Sequence, residues 1–459
     1  MKKRLISFLL ILITIFGITF EGDYIKASAN IDRSTALMYG IDVSRYQKDI
    51  DWAQVKASGV QFAIIRVGTA KYGLDAKFLK NITEANAVGI KCGIYIYSYA
   101  HSVEEAAQEA MLVLSAIEPY TISMPVCIDI EDDIQKSISP EVQAQMANTF
   151  CSIIEAAGYY PLVYGSKSWF KNRMAPIAYE KWVAQYNSYC AIDDAVIWQA
   201  SCTGRVPGIS TDVDLDYAYK DFSSLIIANG FQYRKGYYYY YENYKMKKNA
   251  FIPVNGIGMY YVDEFGHMTT GLKTIGTGIF YFNNAGLMQL GLQNIGGKNY
   301  YFGNDGQMVF GLQNIGGQIF YFGNDGAMFN GGFINFDAPH YFYADGHMAT
   351  GLSKIGNDYY YFDGTGKMTT GLVPAGNDFM YFDPATGKML TGFVNIGANT
   401  YYFDPATGLM ARGFVKVGNY TYFFDQADGH LWVNAQVPGI TEIYVIDVNG
   451  HVTIVPLAG

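Results

Sequence analysis

The sequence predicts an α/β chain in two parts: a small irregular β/α barrel of eight strands, with helices mainly between the first five, then an all-β solenoid of stacked hairpin repeats. Three observations predict it. Short apolar runs alternate with helical stretches as far as about residue 225. Beyond about residue 230 the chain repeats itself with a period near 20. One apolar run, "PVCIDIEDD" at 125–133, ends in four carboxylates, as suits a strand whose tip opens onto a reaction site.

The elements follow in order. Residues 1–20, "MKKRLISFLLILITIFGITF", set Lys2, Lys3 and Arg4 ahead of an apolar stretch shorter than the ~20 residues a membrane span needs, and "ASA" follows at 27–29. We expect an export signal over 1–29, with an uncleaved anchor as the alternative. No later segment is long and apolar enough to span a bilayer, so we expect a mature chain that is secreted or held at a bacterial cell wall, without a membrane span.

Strand candidates are 39–43, 61–67, 91–97, 125–131, 161–165, 181–186, 195–199 and 212–216. The clearest helix has Ser139 as N-cap, Pro140 at its first position and Gly158 just past its end. Together these make a barrel over 36–224, in which the last three strands lie too close in sequence for full helices between them.

In the second part, over 230–459, Met268, Met288, Met308, Met328, Met348 and Met368 keep a period of 20, and Met389 and Met410 follow at 21. Each unit holds an aromatic run such as "NYYF", a turn such as "GNDG" or "DPATG", then a short strand carrying the Met, which is a hairpin pattern. One hairpin cannot bury its apolar face alone. Roughly ten copies should stack and supply one another's core.

Composition narrows the function classes. A formal charge of -9, with no Lys/Arg clusters, argues against nucleic acid as a partner. The five cysteines, Cys92, Cys127, Cys151, Cys190 and Cys202, are an odd count. Cys92 and Cys127 fall inside apolar runs as small buried side chains, whereas Cys190 and Cys202 could pair in an exported protein.

Barrel chemistry sits where strands end. Asp42 ends the first expected strand, Asp129 and Glu131 end the fourth, and Asp214 lies in the eighth. Two residues apart on a strand, Asp129 and Glu131 would share a face with Cα atoms about 6.6 Å apart. Closing the barrel brings strands one and eight together, and with them Asp42 and Asp214. Paired carboxylates suit glycosidic cleavage, one as acid and another to manage the developing positive charge. Asp132 and Asp133 are expected to be solvated loop residues. A metal site is another use of clustered acids, but no spaced ligand loop surrounds these, and we expect no metal or other cofactor.

The motifs "YGIDVSRYQKDIDWAQVKASGVQFAIIRVG", "GIYIYSYA", "PVCIDIE", "KWVAQY" and "IWQASCTGRVPGISTDVDLD" resemble glycoside hydrolase family 25, the lysozymes. The resemblance covers residue 39 to about 220. It implies cleavage of the β-1,4 bond between N-acetylmuramic acid and N-acetylglucosamine in peptidoglycan glycan strands. By motif it makes Glu131 the general acid, Asp129 its partner, and Asp42 and Asp214 the other acids of the site; Asp216 fits the pattern without adding a role. Asp129 and Glu131, projecting from one strand, approach a sugar from similar directions, so Asp129 is poorly placed to attack the face opposite the leaving group. Attack by the substrate's own 2-acetamido oxygen fits better, with Glu131 held protonated by nearby negative charge.

Tyr97, Tyr164, Tyr186 and Trp198 fall at or near strand ends, where an aromatic is either a sugar platform or core. An amidase or peptidase is the competing enzyme. It lacks ligands here, because His101 is the only His before residue 230 and no H-E-x-x-H occurs. A non-catalytic surface adhesin is the third reading. The repeats resemble those of choline-binding and glucan-binding proteins, and equally the carbohydrate-binding repeats of large clostridial cytotoxins. Choline-binding units typically carry Trp at positions two and nine. Here those positions hold Leu272, Leu292, Leu312, Leu352 or Leu372, and Ile279, Asn299, Ile319, Tyr359 or Phe379. We therefore expect a wall polymer or surface saccharide as the partner of the repeats.

Overall fold

The computed structural model describes residues 31–439 and 442–456, so the expected export signal lies outside the described residues. Eight strands close into a barrel: β1 (Met38–Val43), β2 (Phe62–Thr69), β3 (Lys91–Tyr97), β4 (Val126–Asp129), β5 (Pro161–Ser166), β6 (Lys181–Ala184), β7 (Ala195–Gly204) and β8 (Val213–Ala218). Five helices lie between the first six strands: α1 (Trp52–Ala57), α2 (Phe78–Ala87), α3 (Val103–Ile117), α4 (Pro140–Ala156) and α5 (Lys167–Asn172). The expected α/β class and eight-stranded barrel are both present.

Strands β1 to β7 pair in parallel, each with the next. β8 is antiparallel to both β7 and β1. Residues 205–212 alone join β7 to β8, too few for a parallel crossover. Reversal of β8 puts its start, rather than its end, at the mouth where the other strands finish. The expected strand at 125–131 is also shorter, since β4 stops at Asp129. Glu131 lies on the segment just beyond, although the Ile130 N–H still bonds the Tyr164 carbonyl at 3.2 Å.

Alternation along the strands sorts two apolar layers. Ile41, Ile65, Val67, Ile94, Ile96 and Ile128 face the helices. Phe62, Ile64, Cys127, Leu162, Trp182 and Ile197 fill the lumen. Each such side chain contributes about 1.5–3 kcal/mol by leaving water. α4 forms as its sequence requires: Ser139 Oγ accepts from the Val142 N–H, Pro140 opens the helix and Gly158 follows its end at φ 95°.

The open carbonyls at the end of α4 are met by the first hairpin, Gly230–Arg234 with Tyr237–Glu242, and the loop after it. Arg234 Nη2 donates to the Glu155 carbonyl at 3.4 Å, Tyr241 Oη to that of Gly158 at 3.1 Å and Lys248 Nζ to that of Ala156 at 2.8 Å. Cations here also complement the negative end of the helix. Hairpins up to Gly271 therefore belong to the compact unit that holds the barrel, and a second unit includes Gln289–Gly459.

Eleven small antiparallel sheets follow the barrel among the described residues. Phe302, Phe322, Phe342, Phe362, Phe382, Phe403 and Phe424 are buried at the inner ends of their hairpins. Each Met that keeps the period pairs back to its own hairpin, as Met308 does to Phe302, and the N–H of Met268, Met288, Met308, Met328, Met348 and Met410 bonds the hairpin before, as Met308 does to the Ile279 carbonyl at 2.7 Å. Its sulfur then packs on the next turn, at Gly326 for Met308, where φ is 77° and a Cβ would stand 2.2 Å from Sδ. The repeat is thus a chain of neighbour contacts. All five cysteines are free, with Cys202 exposed and the others buried, so Cys190 and Cys202 are unpaired.

Candidate active site

The barrel register assembles the acids. Asp42 near the end of β1 stands opposite Asp214 near the start of β8. Asp129, the last residue of β4, pairs with Tyr97 on one side and Tyr164 on the other. Gln199 of β7 lies opposite Asp216 and binds the group together. Its Nε2 donates to Asp42 Oδ2 at 2.7 Å, and its Oε1 accepts the hydroxyls of Tyr164 and Tyr186, both at 3.0 Å. Trp182 Nε1 donates to Asp216 Oδ1 at 2.8 Å, and Asp216 lies close enough to Asp42 to act on its charge.

Burial sets the electrostatics. Asp42 is pushed well above the ordinary carboxyl range by loss of water, then by the charges of Asp214 and Asp216. Burial raises Asp216 to about 8 and Asp214 to about 6. Asp129 is held well above its usual value by burial and by Glu131, with Arg66 opposing. Glu131 is raised by burial first, then by Asp214 and Asp132. Asp129 Oδ1 is buried without a hydrogen-bond partner, an acceptor left for a donor from outside. A half-buried carboxyl with a tightly held proton, beside a buried acceptor, can protonate a leaving oxygen while accepting an N–H.

Asp42, Asp129, Glu131, Asp214, Tyr164 and Tyr186 therefore gather at one mouth. Tyr97 joins them from the β3 side, its hydroxyl donating to Asp132 Oδ2 at 3.0 Å. Asp132 differs from the solvated residue expected, because its other oxygen caps the 3-10 turn Asp133–Ser137. Trp198 is not brought to the mouth. It lies on the opposite face of β7, packed with Ile31, Val183 and Cys190, and donates Nε1 to the Gln185 carbonyl at 2.8 Å. Gln199, Trp182 and the pairing role of Asp216 were not legible as site features. Alternation from the apolar Ile197 would have turned Gln199, rather than Trp198, inward.

The thiols offer no nucleophile in the core. Burial pushes Cys92 up to about 12 and holds Cys127 and Cys151 well above their usual value. His101 is exposed and lies 3.0 Å from Glu105 Oε2. Asp425, Asp428 and His430 are the one group with metal-ligand spacing among the described residues. They form a repeat turn whose own hydrogen bonds account for them, with His430 Nδ1 2.6 Å from Asp428 Oδ1.

Residues 41–209 match the model of glycosyl hydrolases family 25. Those residues form a family 25 glycosyl hydrolase domain. Beyond it, residues 349–392 and 390–435 match the choline-binding repeat, and 291–308 and 311–328 the putative cell wall binding repeat. Lysozyme M1 of Streptomyces globisporus is 27% identical over 198 residues, 39% of this chain and 67% of the relative. The autolytic lysozyme of Clostridium acetobutylicum is 27% identical over 197 residues, 42% of this chain and 58% of the relative. An uncharacterized protein, YegX of Escherichia coli, is 28% identical over 189 residues, 39% and 68% of the two chains. Among solved structures, CbpJ from Streptococcus pneumoniae aligns at 24% identity over 49% of this chain and 92% of its own, with TM-score 0.42. The family 25 domain contains Asp42, Asp129 and Glu131, while Asp214 lies just past the matched residues.

Proposed function

We propose that the chain is an exported peptidoglycan hydrolase of the lysozyme type. It cleaves the β-1,4 bond between N-acetylmuramic acid and N-acetylglucosamine, and its repeats hold it to the wall. Residues 1–29 serve export, 36–224 catalysis and 230–459 wall binding. The observation that carries this reading is Glu131, a half-buried carboxyl with a raised pKa, standing beside the unpartnered acceptor Asp129 Oδ1 at a mouth lined with further acids.

Glu131 donates its proton to the leaving glycosidic oxygen. Asp129 Oδ1 accepts the acetamido N–H and steadies that group while its oxygen attacks the anomeric carbon, so no carboxylate is needed on the far face. Asp214, raised only to about 6, keeps the mouth negative near neutral pH as positive charge develops on the sugar, and Gln199 holds Asp42 beside it. Tyr186, exposed and pinned through Gln199, offers its ring to the sugar, while the buried Tyr164 braces Gln199 from the barrel side. The test is Glu131→Gln, which keeps shape but cannot donate. Loss of wall lysis with an unchanged circular dichroism spectrum and Tm supports the assignment, and near-normal turnover removes it.

For the repeats we propose a wall saccharide as ligand. Position two is an exposed aliphatic in five units, with Leu292 at 55% and Leu312 at 48% exposure, and Phe in three, Phe333, Phe393 and Phe414, whereas Trp is the ring that serves a choline cage best. Residues 231–459 should sediment with purified walls, and millimolar choline should not release them. Release by choline would restore the choline reading.

A further inference from the structure

The acids at the mouth pose a problem for the reading above, because muramoyl residues carry peptide stems whose free carboxylates make the substrate anionic. One rim answers it. On the β1–β3 side, Arg45, Arg66 and Lys71 stand together in a chain whose net charge is -9. None of the three forms an ion pair with a carboxylate among the described residues, unlike Arg205, which pairs with Asp212 at 2.8 Å. Each is laid on tyrosine instead. The Arg45 guanidinium lies 5.2 Å from the ring centre of Tyr46, and that of Arg66 5.3 Å from Tyr97. Lys71 Nζ lies 5.1 Å from Tyr72 and 5.0 Å from Tyr99.

The rings connect the cations. Tyr97 and Tyr99 are 5.3 Å apart and Tyr99 and Tyr72 5.5 Å apart between centroids. Arg66 acts electrostatically on Tyr46, and Tyr99 on Arg45, so both ends meet. The support is built. Ser44 and Gln47 form a capping box that fixes the turn bearing Arg45 and Tyr46, and the Arg45 N–H is held by Asp75 Oδ2 at 3.1 Å. Gln135, fully buried, donates to the carbonyls of Ser98 and Ala100 on either side of Tyr99. A guanidinium stacked on a ring still presents its N–H edges outward, ready for a carboxylate. On the β5–β7 side, the exposed Tyr186 and the buried Tyr164 and Gln199 it joins are uncharged.

We propose that this tyrosine-backed cationic rim is a subsite for the carboxylates of the peptide stem, and that it orients the glycan by its appendage while the acids act on the sugar. The proposal rests on the hydrolase reading above. Its test uses the full chain carrying Arg45→Gln and Lys71→Gln, both exposed positions outside the acid cluster. Soluble glycan strands are offered with their peptide stems or after an amidase has removed them. On stem-bearing strands the double variant should raise KM about fivefold with kcat within twofold, the size expected for two exposed charge contacts. Added salt should erase the difference, and stripped strands should be cleaved equally by both proteins. Equal loss on both substrates, or no loss on either, overturns the subsite. A loss seen only on walls bearing phosphate polymers overturns it in favour of a phosphate ligand. Failure of the unaltered chain to cleave either strand would overturn the hydrolase reading itself, a distinct result.

Discussion

Glu131 and Asp129 sit two residues apart but in different settings. Asp129 is sealed at the end of β4, 3% exposed, while Glu131 lies past the strand and half-buried. Burial favours the proton on both, but activity needs it on Glu131, while Arg66 and the substrate's N–H at the unpartnered Oδ1 favour the ionised form of Asp129. Activity therefore falls as pH rises and Glu131 loses its proton. Because Asp214 is the leading charge that raises Glu131, Asp214→Asn should move the alkaline limb of the kcat/KM profile to lower pH. An unmoved limb would separate Asp214 from Glu131. Asp129→Asn should cost about a hundredfold or more in kcat while Tm holds or rises, since it removes a buried ionisable group whose Oδ1 has no partner.

Asp216 gives a stability signature of its own. A carboxyl that binds its proton more tightly when folded stabilises the fold below the ordinary carboxylate range, and loses that contribution as pH climbs through the folded value. For Asp216 the window runs from 3.8 to about 8. Asp216→Asn, which can still accept from Trp182 Nε1, should flatten the fall in denaturant stability across that window. An unchanged pH dependence would mean that burial does not hold a proton on Asp216. The four catalytic candidates were legible because acids at strand tips stand out against apolar runs. Gln199 and Asp216 were not, because a Gln inside "IWQAS" and an Asp inside "DVDLD" acquire meaning only once β7 and β8 pair.

At the scale of elements, the hairpin unit and the α4 caps could be read directly, since Met spacing, Ser139, Pro140 and Gly158 act locally. The direction of β8 could not, because it depends on a short connection and on closure against β1. The repeat's weak point is its turn glycine. At Gly326 a Cβ meets both a left-handed backbone and Met308 Sδ, so Gly326→Ala should destabilise by about 1–3 kcal/mol. Thermal melts of residues 231–459 check this. A melt unchanged from the parent would show that the Met308 contact gives way freely.

For the whole molecule, the first hairpin is part of the barrel's support rather than a tether. Its cations and Tyr241 cover the last carbonyls of α4. A chain ended near residue 225 strips that cover, whereas one ended after Thr270 keeps it. The longer chain should have the higher Tm, and both should act poorly on intact walls because the remaining repeats no longer concentrate enzyme on its polymer. Equal Tm values would make the hairpin dispensable. Equal activity of truncated and full-length protein on whole cells would remove the targeting role.

The central claim is the bond that breaks, and mass spectrometry of the soluble fragments released from purified peptidoglycan tests it most directly. The account predicts disaccharide-peptides ending in reducing N-acetylmuramic acid, absent from the Glu131→Gln digest. Fragments ending in reducing N-acetylglucosamine, or free amino groups without new reducing ends, would contradict it.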